Sequence, residues 1–180
     1  AGSTIKRQGG DGSVATYQWG TRGGIAAYWT TDGDGAHDKL AHASGQWTWT
    51  DGASQFTELY AQVPGDATAW RIVNQGDTFG AALTFTYSGS LLDKVTTDGG
   101  EYVQYLWSGN KVSRIDVGLA DRTWFRTYYE YDTQNRLSAV KVDLSPDTAG
   151  IGRGHFYALS YEYGTNRLVS AVSQTDRSPT

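Results

Sequence analysis

Over much of the chain, apolar and polar residues alternate one by one, and the alternation is broken at short intervals by Gly, Asn or Asp. That is the pattern of half-buried strands joined by tight turns. The clearest stretch is Tyr129-Glu130-Tyr131-Asp132-Thr133-Gln134-Asn135-Arg136-Leu137-Ser138-Ala139-Val140. Its two aromatics stand at i and i+2, on one face of a strand. A polar turn follows, then Leu137 and Val140. The same order returns at Tyr161-Glu162-Tyr163-Gly164-Thr165-Asn166-Arg167-Leu168, ending in Ala171-Val172, with the turn one residue shorter.

Four weaker copies lie upstream. They begin at Tyr17-Gln18-Trp19, Trp47-Thr48-Trp49, Phe85-Thr86-Tyr87 and Tyr105-Leu106-Trp107, and each runs through a glycine-containing turn to aliphatic or aromatic residues. In the first copy the turn is read from Gly20 to Gly24. Each copy predicts one β-hairpin, with Gly89, Gly109 and Asn135 as the positions best suited to positive φ. A second class of turn, Thr30-Thr31-Asp32-Gly33 and Thr96-Thr97-Asp98-Gly99, closes one hairpin and starts the next. The expected fold is therefore all-β: tandem antiparallel hairpins forming a twisted, spiralling or rolled sheet. No stretch has helical periodicity with caps, and no linker divides the chain, so residues 1–180 read as a single domain. The pattern is degenerate over 57–80, where a strand pair is expected around Trp70-Arg71-Ile72-Val73.

Composition agrees with that reading and narrows it. Seven Trp, twelve Tyr and five Phe, with 23 Gly, suit a pleated and frequently turning chain. The net charge of −4 argues against a nucleic-acid or anionic-membrane partner. Cysteine is absent, which excludes disulfides and thiolate chemistry, and no apolar run is long enough for a membrane-spanning helix. Methionine is absent too, so the chain is expected to be excised from something larger.

The strings Tyr129–Val140 and Tyr161–Val172 resemble the YD repeat of RHS proteins, Tyr-x-Tyr-Asp-x-x-Gly/Asn-Arg-Leu-x-x-Val. In the first string Tyr129, Tyr131, Asp132, Asn135, Arg136 and Leu137 match. In the second, Tyr161, Tyr163, Asn166, Arg167 and Leu168 match, while Gly164 replaces the Asp. The upstream copies keep the aromatic pair and lose the Arg-Leu core. The resemblance implies a segment of a large secreted or cell-surface bacterial protein, related to teneurin repeats. Such hairpins wind into a shell around a toxin domain, or belong to adhesive proteins. The self-cleaving core of some relatives has no counterpart in this sequence, so that activity does not carry over.

Several residues invite a chemical role. Glu130 and Glu162 sit between tyrosines, but they occupy the same place in two copies, as an outward strand position would. His37 and His42 are five apart, which is not a zinc spacing. Asp32, Asp34 and Asp38 around Gly35 resemble a calcium loop, yet the stretch lacks the distal Glu and aligns with a plain turn at 96–99. A turn is the better reading. Trp29, Trp70 and Trp124 lie outside the repeat pairs and are the candidates for stacking on glycans. Arg136 and Arg167, at turn exits, are expected to stack on neighbouring tyrosines.

The expected function is that of a non-catalytic structural segment without a cofactor. Its partners would be neighbouring repeats, with an enclosed toxin domain or glycans beyond them. The rival is a carbohydrate-binding adhesin module. An isolated segment is expected either to self-associate through its open edges or to guard them with loops such as 145–154.

Overall fold

The computed structural model describes residues 3–31, 37–119, 122–146, 155–165 and 167–177, with side chains described as far as 173. Among the described residues there are fifteen strands and no helix. They are β1 (Thr4–Gln8), β2 (Val14–Arg22), β3 (Ile25–Thr30), β4 (Lys39–Ala43), β5 (Gln46–Thr50), β6 (Thr57–Val63), β7 (Asp66–Gly76) and β8 (Ala82–Ser88). Then come β9 (Leu91–Thr97), β10 (Tyr102–Ser108), β11 (Lys111–Leu119), β12 (Arg122–Tyr131), β13 (Leu137–Asp143), β14 (His155–Tyr163) and β15 (Leu168–Arg177). The strands form one antiparallel sheet in sequence order, the uninterrupted meander that tandem hairpins predict. Contacts within the chain fall into two units, Ala1–Phe85 and Thr86–Thr180, whose boundary lies inside β8.

Two kinds of turn make the meander. Two-residue turns at Gly23-Gly24, Ser44-Gly45, Pro64-Gly65, Gly89-Ser90 and Gly109-Asn110 carry positive φ at one or both positions, as strand twist requires. The second kind is a three-residue loop closed by a backbone bond, as in Asp77 N to Ala81 O, Thr97 N to Glu101 O and Asp132 N to Arg136 O. Its last residue is left-handed: Gly80, Gly100 and Asn135, at φ 94°, 85° and 66°. Gly89 and Gly109 also adopt positive φ, at 60° and 59°, as the turn chemistry predicted.

The repeat has a structural meaning in the second unit. The register shifts between Leu106 and Trp107, Glu130 and Tyr131, and Glu162 and Tyr163, where the returning strand carries one extra residue, Ser113, Ser138 or Val169. The shift sets the second aromatic opposite the first or second residue of the next strand, giving Trp107↔Val112, Tyr131↔Leu137 and Tyr163↔Leu168. Towards the preceding hairpin the ladder has already stopped, at Gln104, Tyr128 and Ser160. Side chains bridge the gap. Trp107 Nε1 donates to Leu92 O at 2.8 Å, and Tyr131 OH donates to Val112 O at 2.9 Å. Arg136 stacks 4.5 Å from the Tyr163 ring centroid and donates to Gly164 O at 3.3 Å.

Upstream, two expectations need correction. The tip of the first hairpin is Gly23-Gly24, and Gly20 lies within β2, so the strand runs past its aromatic pair. Tyr17 is fully buried whereas Trp19 is 56% exposed, so that pair does not share one buried environment. The span 57–80, irregular as sequence, contains the hairpin β6–β7, turning at Pro64 and Gly65. Pro64 presets φ and Gly65 supplies the positive φ of 84°, a turn with no need of the repeat's own residues.

Each unit has its own interior. In the first, Tyr17, Leu40 and Trp49 form a buried cluster joined by Ile5, Tyr28, Trp47, Phe56 and Tyr60. In the second, three cross-strand neighbours, Asp116, Arg126 and Asp143, are buried in a row on β11, β12 and β13. Arg126 bonds Asp143 Oδ2 at 3.2 Å and Pro146 O at 2.7 Å, and Arg114 pairs with Asp116 at 2.9 Å.

Two substitutions test this construction by denaturant unfolding. Tyr131→Phe removes only the bridge to Val112 and should cost about 1 kcal/mol. Gly118→Ala places a Cβ 2.2 Å from Arg122 O, at the β11–β12 bulge, and should cost roughly 2 kcal/mol or more. An unchanged midpoint for Gly118→Ala would mean that the strands do not meet as described.

Candidate functional site

The strongest concentration of polar chemistry lies in the first unit, where β1 comes across the inner face of β5, β6 and β7. Alternation along β1 turns Ile5 and Arg7 inward and leaves Thr4, Lys6 and Gln8 exposed. Arg7 NH2 meets Glu58 Oε2 at 2.5 Å, and its Nε lies 3.1 Å from the same oxygen. The Arg7 Nε also donates to Tyr60 OH at 3.0 Å, and the guanidinium lies 3.7 Å from the Trp49 ring centroid. Tyr60 OH donates to Glu58 Oε2, and Gln75 Nε2 donates to Glu58 Oε1 at 3.1 Å. The Trp49 indole N–H then donates to Tyr17 OH at 2.9 Å, in the buried core.

Beside this network is a cavity of about 1020 Å³. One wall is β1 and the glycines that follow it. The other carries Trp47, Tyr60, Trp70 and Phe85. Burial alone would push the Glu58 carboxyl up, but hydrogen bonds from Tyr60, Arg7 and Gln75, with the charge of Arg7, hold it below its ordinary value. Tyr60 is pushed up to about 12, first by burial and then by Glu58. Glu58 is thus held as a carboxylate with its oxygens engaged. It is the only acidic residue among those described around the cavity, whereas acid-assisted glycoside cleavage uses two carboxyl groups.

The residues singled out from sequence are scattered. Trp29 is 8% exposed and donates its N–H to Gly20 O at 3.2 Å, which leaves no face for a sugar. This burial counts against the expectation that Trp29 is a candidate for stacking on glycans. The cause is the paired register of β2 and β3, which sets Trp29 against Gln18 and turns its ring over Gly20. Trp124 is half-buried in the second unit, with Arg122 5.8 Å from its ring centroid. Only Trp70 lines the cavity, edge-on to Trp47 at 6.3 Å and to His42 at 5.8 Å.

The repeat residues serve the turns and the hairpin links. Asp132 Oδ1 accepts the N–H groups of Gln134 and Arg136, and its Oδ2 pairs with Arg136 Nε at 2.8 Å. Those bonds, led by the Arg136 amide, hold its carboxyl below the ordinary range. Arg136 stacks on Tyr163 as anticipated. Tyr129 and Leu137 are half-buried on opposite strands, Tyr161 and Tyr163 are half-buried on β14, and Arg167 and Leu168 are exposed. Asn166 lies outside the described residues.

Glu130 is exposed and 2.5 Å from Lys141, and Glu162 accepts from Ser170 at 3.0 Å, both on the face away from the tyrosines. Asp38 accepts the Gly52 N–H at 2.9 Å; Asp32 and Asp34 lie outside the described residues. Among the described residues no three His, Asp or Glu side chains converge as a metal site requires.

Arg7, Glu58 and Gln75 were not singled out from the sequence. One signal for Glu58 existed. Glu130 and Glu162 fall between aromatics and therefore on the opposite face, but Glu58 is two residues from Tyr60 and shares its face.

A carboxyl held below its ordinary value stabilises the fold fully above that value, and the contribution is lost as pH falls through the depressed one. Asp132, Asp51, Asp66 and Asp11 shift in the same direction as Glu58. Stability should therefore fall on acidification below the ordinary Glu value of 4.5, and Glu58→Gln should flatten part of that fall. At neutral pH, Glu58→Ala strands the Arg7 charge and should cost about 3–5 kcal/mol, read from the unfolding midpoint.

No protein-family model matches the chain, and no curated protein matches it.

Proposed function

We propose that the chain is a non-catalytic structural segment of a large secreted or cell-surface bacterial protein of the RHS/YD-repeat kind, part of a shell or an adhesin scaffold. The observation that carries this reading is the bridge from one hairpin to the next. Trp107 reaches back to Leu92 O, Tyr131 reaches back to Val112 O, and Arg136 reaches forward over Tyr163. The residues most characteristic of the YD pattern are thus engaged in joining hairpins and closing turns. A repeated unit whose defining side chains connect it to its neighbour suits an extended wall. Glu130 and Asp132, the acids nearest the best-matched motif, are engaged with Lys141 and Arg136. The partners under this reading are further repeats of the same kind and, for a shell, an enclosed toxin domain.

The assignment is tested on bacteria that express the parent protein. Antibodies raised against this segment should label intact cells or the culture medium. Labelling that appears only after lysis would sink it.

A further inference from the structure

Two turns stand side by side at one end of the first unit, because Thr50 pairs with Thr57 and Thr57 with Gly76. One, 51–56, joins β5 to β6, and the other, 77–81, joins β7 to β8. Each begins with an aspartate that closes its own loop. Asp51 Oδ1 accepts the Ser54 and Ala53 amides at 2.6 and 3.1 Å, and Asp77 Oδ1 accepts those of Phe79 and Ala81 at 2.8 and 3.0 Å. Residues of both turns line a second pocket, of about 370 Å³, in which Trp49, Phe56 and Phe79 stand beside the two carboxylates.

Phe79 is 94% exposed. Its turn does not call for an aromatic, since the same position is Gly99 in the turn closed by Thr97 N and Glu101 O, and Gln134 in the one closed by Asp132 N and Arg136 O. A ring held out in water adds nothing to the core, so the fold gives no reason for it. Among the described residues the three rings make no contact with one another, unlike Trp19, Tyr28, Trp47 and Trp70, which meet in turn at 5.2, 5.5 and 6.3 Å. They stand apart around an open space, and the face of each carries partial negative charge.

Charge decides what fits. Asp51 and Asp77 line the pocket, and among the described residues no Lys, Arg or His does. The hydrogen bonds these carboxylates accept all fall on Oδ1, which leaves each Oδ2 without a partner among the described residues. Bonds from Ser54 hold the Asp51 carboxyl below its ordinary value, so it is ionised at neutral pH. Arg7 lies 3.7 Å from the Trp49 ring centroid, but its charge is paired with Glu58. The Trp49 N–H is donated to Tyr17 OH, so the rings offer faces and no donors.

We propose that this pocket binds a quaternary ammonium group of the choline type, its methyl groups against Trp49, Phe56 and Phe79 and its charge balanced by Asp51 and Asp77. Such a group has no N–H and holds its water weakly, so ring faces replace that water at little cost and the carboxylates act through charge. A primary ammonium would give up water at three donors, which the rings cannot replace. The site shares no residue with the hairpin bridges on which the scaffold reading rests.

The test is titration of the full chain with choline, followed by calorimetry and tryptophan fluorescence. Choline should bind at millimolar concentration or below, and its uncharged isostere with carbon in place of nitrogen should bind at least about fivefold more weakly, as should butylammonium. Phe79→Ala should weaken choline binding about threefold or more with unfolding unchanged, because the ring is exposed. Asp77→Asn keeps the Oδ1 acceptor that closes the turn, removes the charge, and should weaken binding similarly. Tyr157→Ala, on an exposed ring in the second unit, should leave it intact. Phosphatidylcholine vesicles present the same group. Their capturing the chain through Phe79 would identify a lipid headgroup as the source, and binding confined to free choline a soluble one. The proposal is overturned if choline does not bind, if the carbon isostere or butylammonium binds equally well, or if both folded variants bind choline as the parent chain does.

Discussion

Where two hairpins of the second unit meet, the backbone ladder ends three residues before the second aromatic, at Gln104, Tyr128 and Ser160. A side chain must then hold the strands together. An aromatic with a polar tip meets that need, because its ring covers the gap while its N–H or O–H reaches a carbonyl left without a ladder partner. Trp107 and Tyr131 do this directly, and at Tyr163 the contact is made by Arg136. The register shifts at each of these aromatics through one extra residue on the returning strand, and after Trp107 and Tyr131 the turn contains Gly109 or Asn135 in the left-handed region. Phe in place of Trp107 or Tyr131 would cover the gap without bonding across it.

The first unit meets the same demand by different means. Trp49 also reaches back to the preceding copy, but its acceptor is Tyr17 OH in the core. From there the bonded chain continues through Arg7 to Glu58, Tyr60 and Gln75. Burying an ion pair costs desolvation of both partners, and it is tolerated here because both Glu58 oxygens are engaged. The network fixes β1 against β6 and leaves the cavity beside it.

How much could be read in advance differs between residues. Asn135, Gly89 and Gly109 announced their backbone conformation, because a two- or three-residue turn admits few residue types. Asp132 and Arg136 were legible as turn and stack for the same local reason. Trp29 was not. Its place outside the aromatic pairs suggested exposure, and burial came from the register that lays it over Gly20. Trp70 and Trp124 looked equivalent in the sequence, yet only Trp70 borders the cavity.

The sequence by itself determined the all-β hairpin architecture, the turns at Gly89, Gly109 and Asn135 and the outward direction of Glu130 and Glu162. All of these depend on interactions within a few residues, where alternation and allowed φ leave little freedom. The tertiary structure decided which hairpins are bridged by which side chain, and that Arg7 meets Glu58 from 51 residues away. It also decided that Trp47, Tyr60, Trp70 and Phe85 line one cavity together with β1. Those outcomes depend on which residues distant in the chain come together, and no local pattern encodes that.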